Sequence, residues 1–127
     1  MIRALILLLS VMPVGAFAAE RRYSEQFASC SRQSGGVTVA IRDCIDAEHT
    51  RLDGELNRHY RTLMRSLPPT KAQALRQSER RWLIDRKRKC DAAGNSEAGG
   101  TLQMIMIDSC YLDSLYDRVS TLRAMQR

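Results

Sequence analysis

Hydrophobic residues between Thr38 and Leu67 recur at every third or fourth position, with arginine and aspartate residues between them. This spacing places the apolar side chains on one face of a helix and predicts an α-helix of about thirty residues. Glu48 fills one gap in the stripe. The apolar stripe consists of Ile41, Ile45, Leu52, Leu56, Tyr60, Leu63 and Leu67.

Two prolines, Pro68 and Pro69, follow this stripe. A proline disfavours helix in the residue before it and cannot donate to a continuing helix, but it fits the first turn of a new one. We therefore expect a second helix from Pro69 to Cys90. Its apolar stripe is thin and consists of Ala72, Leu75, Trp82 and Leu83, with Ile84 as a further candidate.

A glycine-rich stretch from Asp91 to Gly100 has the composition of a loop, and the apolar pattern resumes in a third helix from Thr101 to Ala124. A short helix is expected from Tyr23 to Ser31, before the break at Gly35 and Gly36. No alternating strand pattern occurs in the sequence. The predicted fold class is all-α, a compact bundle of three long helices plus a short N-terminal helix. The stripe of the third long helix consists of Leu102, Ile105, Leu112, Leu115, Val119 and Leu122.

The first eighteen residues have the features of a secretory signal peptide. Arg3 supplies the positive charge, residues 4–14 form an apolar run, and a small-x-small cleavage site ends at Ala18. The apolar run is shorter than the roughly 20 residues that a membrane-spanning helix needs. The small-x-small site predicts cleavage near Ala18 and Ala19, so that the exported chain begins near Ala19 or Glu20. Residues 19–127 then form a single helical domain that does not span a membrane and is periplasmic or secreted.

All four cysteines follow the predicted cleavage site, and an even number of cysteines in a small exported domain predicts disulfide bonds. A zinc site would need closely spaced cysteine pairs or clustered histidines. The cysteines are instead 14, 46 and 20 positions apart, and His49 and His59 lie too far apart on one helix to share a metal. We expect no metal and no cofactor.

Two disulfide pairings fit the predicted helices. Sequential pairing joins Cys30 to Cys44 and Cys90 to Cys110, closing loops of 14 and 20 residues. Each closure contributes roughly 3 kcal/mol by the chain-entropy estimate, which compensates for a modest core. If the two long helices fold back at Pro68, however, Cys44 and Cys90 lie at the same end of the hairpin. A bond between those two residues is therefore open as well.

Several short motifs together have a specific pattern. They are Leu52-Asp53-x2-Leu56-Asn57-x2-Tyr60-x2-Leu63, Arg80-x-Trp82-x3-Arg86-x3-Cys90, Gly99-Gly100-Thr101 and Cys110-x7-Arg118-x3-Leu122. From Cys30 to Leu122 the chain thereby resembles the LprI-like lysozyme-inhibitor domain, a small exported helical family. Glu79 departs from the glutamine usual in that family, and Lys87 from the usual aspartate. The resemblance favours the sequential disulfide pairing.

Seven residues of these motifs, here called the signature residues, are Asp53, Leu56, Asn57, Tyr60, Trp82, Arg86 and Arg118. Asn57 and Tyr60 share a helix face, as do Trp82 and Arg86. We favour a structural role, in which Trp82 fills the core and Asn57 contacts Arg86 across two helices, with Asp53 available to pair the arginine. The alternative is that these residues line a binding pocket.

The resemblance implies that lysozyme, or another extracytoplasmic protein, is the partner, and that lysozyme is inhibited by occlusion of its cleft. With sequential pairing, Cys90 and Cys110 hold both ends of the segment that contains the 91–100 loop, and such pre-organisation lowers the entropy cost of binding. The alternative is that the loop is an ordinary connector. The candidate contact residues are Asp91, Asn95, Ser96 and Glu97.

Charge opposes the inhibitor interpretation unless a local acidic patch exists. Without Arg3 the chain carries 19 Lys and Arg against 14 Asp and Glu, a net charge of +5. Many lysozymes are themselves basic, so the overall field repels them. The candidate acidic residues are Asp43, Asp46, Glu48, Asp53 and Glu55 on the first long helix and Asp108, Asp113 and Asp117 on the third.

A second class of function is a cell-envelope protein that binds anionic lipid or polysaccharide in a salt-sensitive way. Export and the scarcity of base-stacking aromatic residues argue against nucleic acid as a partner. The sequence has no local catalytic motif such as G-x-S-x-G or H-E-x-x-H, so we expect no enzymatic activity. The basic footprint expected for envelope binding is Arg80, Arg81, Arg86, Lys87, Arg88 and Lys89.

Overall fold

The computed structural model describes residues 22–127, so the predicted signal peptide lies outside the described residues. The described part contains four α-helices, one short 3-10 helix and no strand, which confirms the predicted all-α bundle. The observed helix limits differ from the predicted ones by at most two residues. The elements are α1 (Glu25–Gln33), α2 (Thr38–Ser66), α3 (Pro69–Asp91), the 3-10 turn (Asn95–Glu97) and α4 (Thr101–Ala124).

The core lies mainly between α2 and α4, which run in the same direction. Arg42 contacts Asp108 near the starts of the two helices, and His59 contacts Gln126 near their ends. The apolar stripes predicted for these helices therefore face each other. The buried core cluster is Ile45, Leu52, Leu56 and Leu63 of α2, Leu75 of α3, and Leu112, Leu115, Val119 and Leu122 of α4.

Helix α3 runs antiparallel to α4 and packs mainly against it, with few contacts to α2. Two residues of its predicted stripe, Leu83 and Ile84, are 45% and 66% exposed, so their assignment to the core is wrong. Leu83 borders an open cleft towards α2, and Ile84 is turned a further 100° from it. Leu102, in the first turn of α4 where the bundle ends, is also exposed.

Glu48 interrupts the apolar stripe of α2 because it joins α2 to the start of α1. Its carboxylate is buried and accepts hydrogen bonds from the backbone N (2.9 Å) and Oγ (2.6 Å) of Ser24, the N-cap of α1. Arg51 donates to both carboxylate oxygens, at 2.7 and 3.0 Å. Burial alone would raise the pKa of Glu48, but the hydrogen bonds from Arg51 and Ser24 together lower the pKa below its ordinary value.

The disulfides are Cys30–Cys44, between α1 and α2, and Cys90–Cys110, between α3 and α4, with Cα–Cα distances of 5.7 and 5.4 Å. The predicted sequential pairing is confirmed, and the alternative Cys44–Cys90 bond does not form. Cys44 and Cys110 each lie two residues beyond the Arg42–Asp108 contact on parallel helices, so all four cysteines are at one end of the bundle. We call this the disulfide end.

Candidate functional site

Trp82, Arg86 and Arg118, three of the signature residues, meet where α3 packs against α4. The Arg86 guanidinium lies 4.4 Å from the centre of the Trp82 ring, and the Arg118 guanidinium lies 5.7 Å from it. Arg118 also reaches the Glu79 carboxylate at 2.7 Å and donates to Ser78 Oγ at 3.2 Å. Helix α3 is therefore joined to α4 by charge-assisted hydrogen bonds and cation–π contacts instead of a broad apolar stripe.

The predicted contact between Asn57 and Arg86 is wrong. The Asn57 side-chain amide donates to Asp53 on its own helix, to the backbone O at 2.9 Å and to Oδ2 at 3.0 Å. Arg86 instead lies between Trp82 and the Tyr111 ring, and its Nε is buried with no hydrogen-bond partner among residues 22–127. The two side chains are separated because α2 and α3 leave a gap between them.

The two departures from the family pattern have ion-pair partners in the structure. Glu79, which replaces the usual glutamine, supplies the carboxylate that pairs with Arg118. Lys87, which replaces the usual aspartate, pairs with Asp91 one turn later on α3. The Glu79–Arg118 pair was missed by sequence reasoning, although Glu79 lies three residues before Trp82 and so on the same helix face.

A cleft of about 320 Å³ separates α2 from α3. Four signature residues line one wall, and α3 supplies the other. This is the geometry that the binding-pocket alternative requires, so the seven signature residues divide between a helix interface and an open cleft. The cleft is lined by Asp53, Leu56, Asn57 and Tyr60 of α2 and by Arg76, Glu79, Arg80 and Leu83 of α3.

The segment from Asp91 to Gly100 is held firmly against α4. Gly94 is buried, and a Cβ there would lie 2.6 Å from Gln103 Cγ and 2.9 Å from the Gln103 backbone O. Gly99 has a φ of +82°, which favours glycine, and its N–H donates to Gln103 Oε1 at 3.0 Å. Together with the Cys90–Cys110 disulfide, these contacts fix the loop in one conformation.

The four candidate contact residues of the loop differ in availability. Asp91 pairs with Lys87 and accepts a hydrogen bond from Tyr111 Oη at 2.9 Å. The hydrogen bonds from Lys87 and then Tyr111 lower the pKa of Asp91. Asn95, Ser96 and Glu97 form the exposed 3-10 turn, and their side chains make no hydrogen bond or ion pair with another described residue. These three side chains are therefore free to contact a partner, whereas the Asp91 carboxylate already has two partners within the domain.

A groove of about 470 Å³ lies at the disulfide end, between the first half of α2 and the first half of α4. Val39 and Ile45 provide its apolar part. Arg42 and Asp108 pair across it at 2.6 Å. Asp43 and Asp46 are exposed and form no ion pair within residues 22–127. The groove is lined by Val39, Arg42, Asp43, Ile45, Asp46, His49, Asp108 and Tyr111.

A family model described as lysozyme inhibitor LprI matches residues 30–122. The chain belongs to the LprI family. An uncharacterized protein of Rhizobium meliloti (strain 1021) is 23% identical over 95 residues, which cover 65% of this chain and 68% of that protein. No solved structure matches the chain significantly. The resemblance read from the sequence is therefore confirmed, and LprI is a family of inhibitors.

The LprI match begins at Cys30 and so includes all four cysteines, every signature residue and the 91–100 loop. In residues 22–127, no helix is long and apolar enough to cross a membrane. No cluster of three or more His, Cys, Asp or Glu side chains in this part of the LprI chain could hold a metal ion.

Most carboxylates named as candidate acidic patches are already paired in this LprI domain. Glu48 and Glu55 pair with Arg51, and Glu55 also pairs with Arg123. Asp113 and Asp117 pair with Arg22. Within residues 22–127, the candidate acidic residues that remain exposed without either an ion pair or a hydrogen bond are Asp43 and Asp46. Of the two acidic patches expected on α2 and α4, only these two carboxylates remain, and both line the groove at the disulfide end.

Proposed function

We propose that this protein inhibits a lysozyme by covering the enzyme's substrate cleft with the disulfide end of the bundle. Membership of the LprI family supports inhibition as the activity. The observation that carries the choice of surface is the fixed 91–100 loop, which ends in an exposed polar turn at Asn95–Glu97.

The rigidity of the loop favours binding. A loop that is already in its bound conformation loses little entropy when it meets a partner, so more of the contact energy appears as affinity. Gly94 packs against Gln103 and Ile107 of α4, and the Cys90–Cys110 disulfide ties the segment to the same helix. The turn then presents Asn95, Ser96 and Glu97 to the polar groups of a glycan-binding cleft.

The local charge at this end also favours a basic lysozyme. The carboxylates of Asp43, Asp46 and Glu97 lie at or near the disulfide end and are not neutralised by an ion pair within the described chain. Local negative charge next to the docking surface speeds association with a basic partner even when the whole protein is positive. The exposed side chains of Val39 and Met104 add apolar area at the same end.

Export is part of this proposal, because the enzyme acts on the cell wall outside the cytoplasm. Two disulfides are consistent with an oxidising compartment. We propose that residues 1–18 are removed and that residues 19–127 form the exported domain. Mass spectrometry of the protein recovered from the periplasm or medium should show Ala19 as the first residue, and a retained leader in that fraction would contradict the proposal.

The decisive experiment measures hydrolysis of a cell-wall substrate by c-type and g-type lysozymes with increasing amounts of the purified protein. We expect inhibition of at least one class at micromolar protein or below. The variant Glu97→Gln and the double variant Asp43→Asn/Asp46→Asn should inhibit less. Asp85→Asn, which removes an exposed carboxylate from α3, is the matched control and should inhibit normally. Absence of inhibition in every lysozyme class would refute the proposal.

A further inference from the structure

The positive charge of this protein is concentrated in residues 56–81, which we call the hairpin end. This segment carries seven Lys or Arg and a single acidic residue, Glu79, so its net charge is +6. The whole chain also has a net charge of +6, so the charges of all other residues sum to zero. The seven cations are Arg58, Arg61, Arg65, Lys71, Arg76, Arg80 and Arg81.

The structure leaves this charge uncompensated. All seven side chains are exposed, and none forms an ion pair within residues 22–127. Glu79, the one acidic residue of the segment, is already engaged by Arg118 from α4. Elsewhere in the bundle the cations are largely paired, as Arg42 is with Asp108 and Lys87 with Asp91.

The cations surround the tip of the hairpin. Arg58, Arg61 and Arg65 fall within an arc of about 60° on α2, because each residue turns the helix by about 100°. Arg76 and Arg80 lie one turn apart on α3, at the mouth of the cleft. Exposed Pro68 and Pro69 form the tip itself, and Lys71 follows in the first turn of α3. Charge spread over two helices around a tip fits a flat anionic surface better than a single bound chain.

We propose that the hairpin end docks on the surface of an anionic phospholipid bilayer and faces the headgroup phosphates. The contact is electrostatic and peripheral, because residues 56–81 include none of the exposed large hydrophobic side chains of the described chain that could insert into the lipid. Salt should therefore weaken the contact. Docking through this end directs the disulfide end, with its loop and groove, away from the bilayer. The proposal is independent of lysozyme inhibition.

This surface differs from the basic footprint expected from the sequence. Arg80 and Arg81 belong to both. Arg86, however, lies against Trp82, and Lys87 and Arg88 are paired with Asp91 and Asp85. The second half of α3 is therefore a weaker anion-binding surface than the hairpin end.

The test is co-sedimentation of the protein, recovered from the exported fraction, with vesicles of phosphatidylcholine alone or mixed with phosphatidylglycerol. Each Lys or Arg near an anionic bilayer strengthens binding about fivefold, so Arg61→Gln/Arg65→Gln should weaken binding to the mixed vesicles about 25-fold. The matched control Arg32→Gln/Lys89→Gln removes two exposed cations outside the hairpin end and should weaken binding much less. Lysozyme inhibition should be unchanged in Arg61→Gln/Arg65→Gln, because both positions lie far from the disulfide end.

Three results would overturn the proposal. Equal losses of vesicle binding in the two double variants would show that only the net charge of the protein matters. Equal binding to neutral and mixed vesicles would show that the headgroup charge does not contribute to binding. Retention on dextran sulfate that is lost in Arg61→Gln/Arg65→Gln, without vesicle binding by either protein, would assign this end to a polysaccharide and refute lipid docking.

Discussion

Arg118 of α4 places its guanidinium 2.7 Å from the carboxylate of Glu79 on α3, and the two side chains are only 10% and 16% exposed. The pair lies beside Trp82, which is itself covered by Arg86. Because few apolar side chains join α3 to the bundle, this contact holds the middle of α3 while Leu75 and the Cys90–Cys110 disulfide hold the two halves on either side.

Replacement of Glu79 tests this arrangement. Glu79→Ala leaves a largely buried guanidinium without its partner and should lower the free energy of unfolding by about 3 kcal/mol. Glu79→Gln, the residue usual in the family, keeps a hydrogen-bond acceptor and should cost about 1 kcal/mol. Urea denaturation followed by circular dichroism measures both. Asp85→Ala, which breaks an exposed ion pair with Arg88 on the same helix, should change stability by less than about 0.5 kcal/mol. Equal effects at Glu79 and Asp85 would contradict the role of the buried pair.

Gly94→Ala should displace the 91–100 loop. The added Cβ would lie within 3 Å of two Gln103 atoms, and such overpacking costs about 2 kcal/mol. We expect normal helicity, a lower melting temperature and weaker lysozyme inhibition. The control is Gly54→Ala in α2, where the nearest atom to the new Cβ is Arg58 Nη1 at 3.6 Å. That variant should be more stable by about 1 kcal/mol, since alanine is the better helix former, and should inhibit normally.

The two disulfides should have similar effects on stability and different effects on function. Removal of either bond, by Cys30→Ser/Cys44→Ser or Cys90→Ser/Cys110→Ser, should lower stability by roughly 3 kcal/mol, because the closed loops are similar in length. At a temperature where both variants remain folded, only the second should inhibit lysozyme poorly, since only that bond holds the 91–100 loop. Equal inhibition by the two variants would show that lysozyme inhibition does not depend on holding the 91–100 loop.

Glu48 makes stability depend on acid pH. Its pKa is lower in the folded protein than the ordinary value of 4.5, so the folded state favours the charged form. The resulting stabilisation is complete above pH 4.5 and is lost as the pH falls towards the folded-state pKa. Glu48→Gln should cost about 2 kcal/mol at neutral pH, through weaker hydrogen bonds to Arg51 and Ser24. Urea titrations between neutral pH and pH 3 should show a flatter acid decline for the variant than for the unaltered protein.

Helix limits could be predicted because their signals are local. Pro68 and Pro69 stop one helix and start the next, and the apolar periodicity of α2 and α4 identifies the faces that meet in the core. The same periodicity wrongly predicted that Leu83 and Ile84 are buried. The apolar pattern of α3 does not reveal that an open cleft, and no packed helix, lies next to Leu83. The site was harder to predict because the availability of Asp91 depends on Tyr111, twenty residues away.

The sequence by itself determined the helix class, the excess of positive charge in residues 56–81 and the family, because periodicity, composition and motif spacing are properties of neighbouring residues. The tertiary structure decided which cysteines pair, that Arg118 takes Glu79 as its partner, and that Asn57 stays on its own helix. The physical reason is that partners distant in the chain are selected by which helix faces meet, and only the packed bundle brings those faces together.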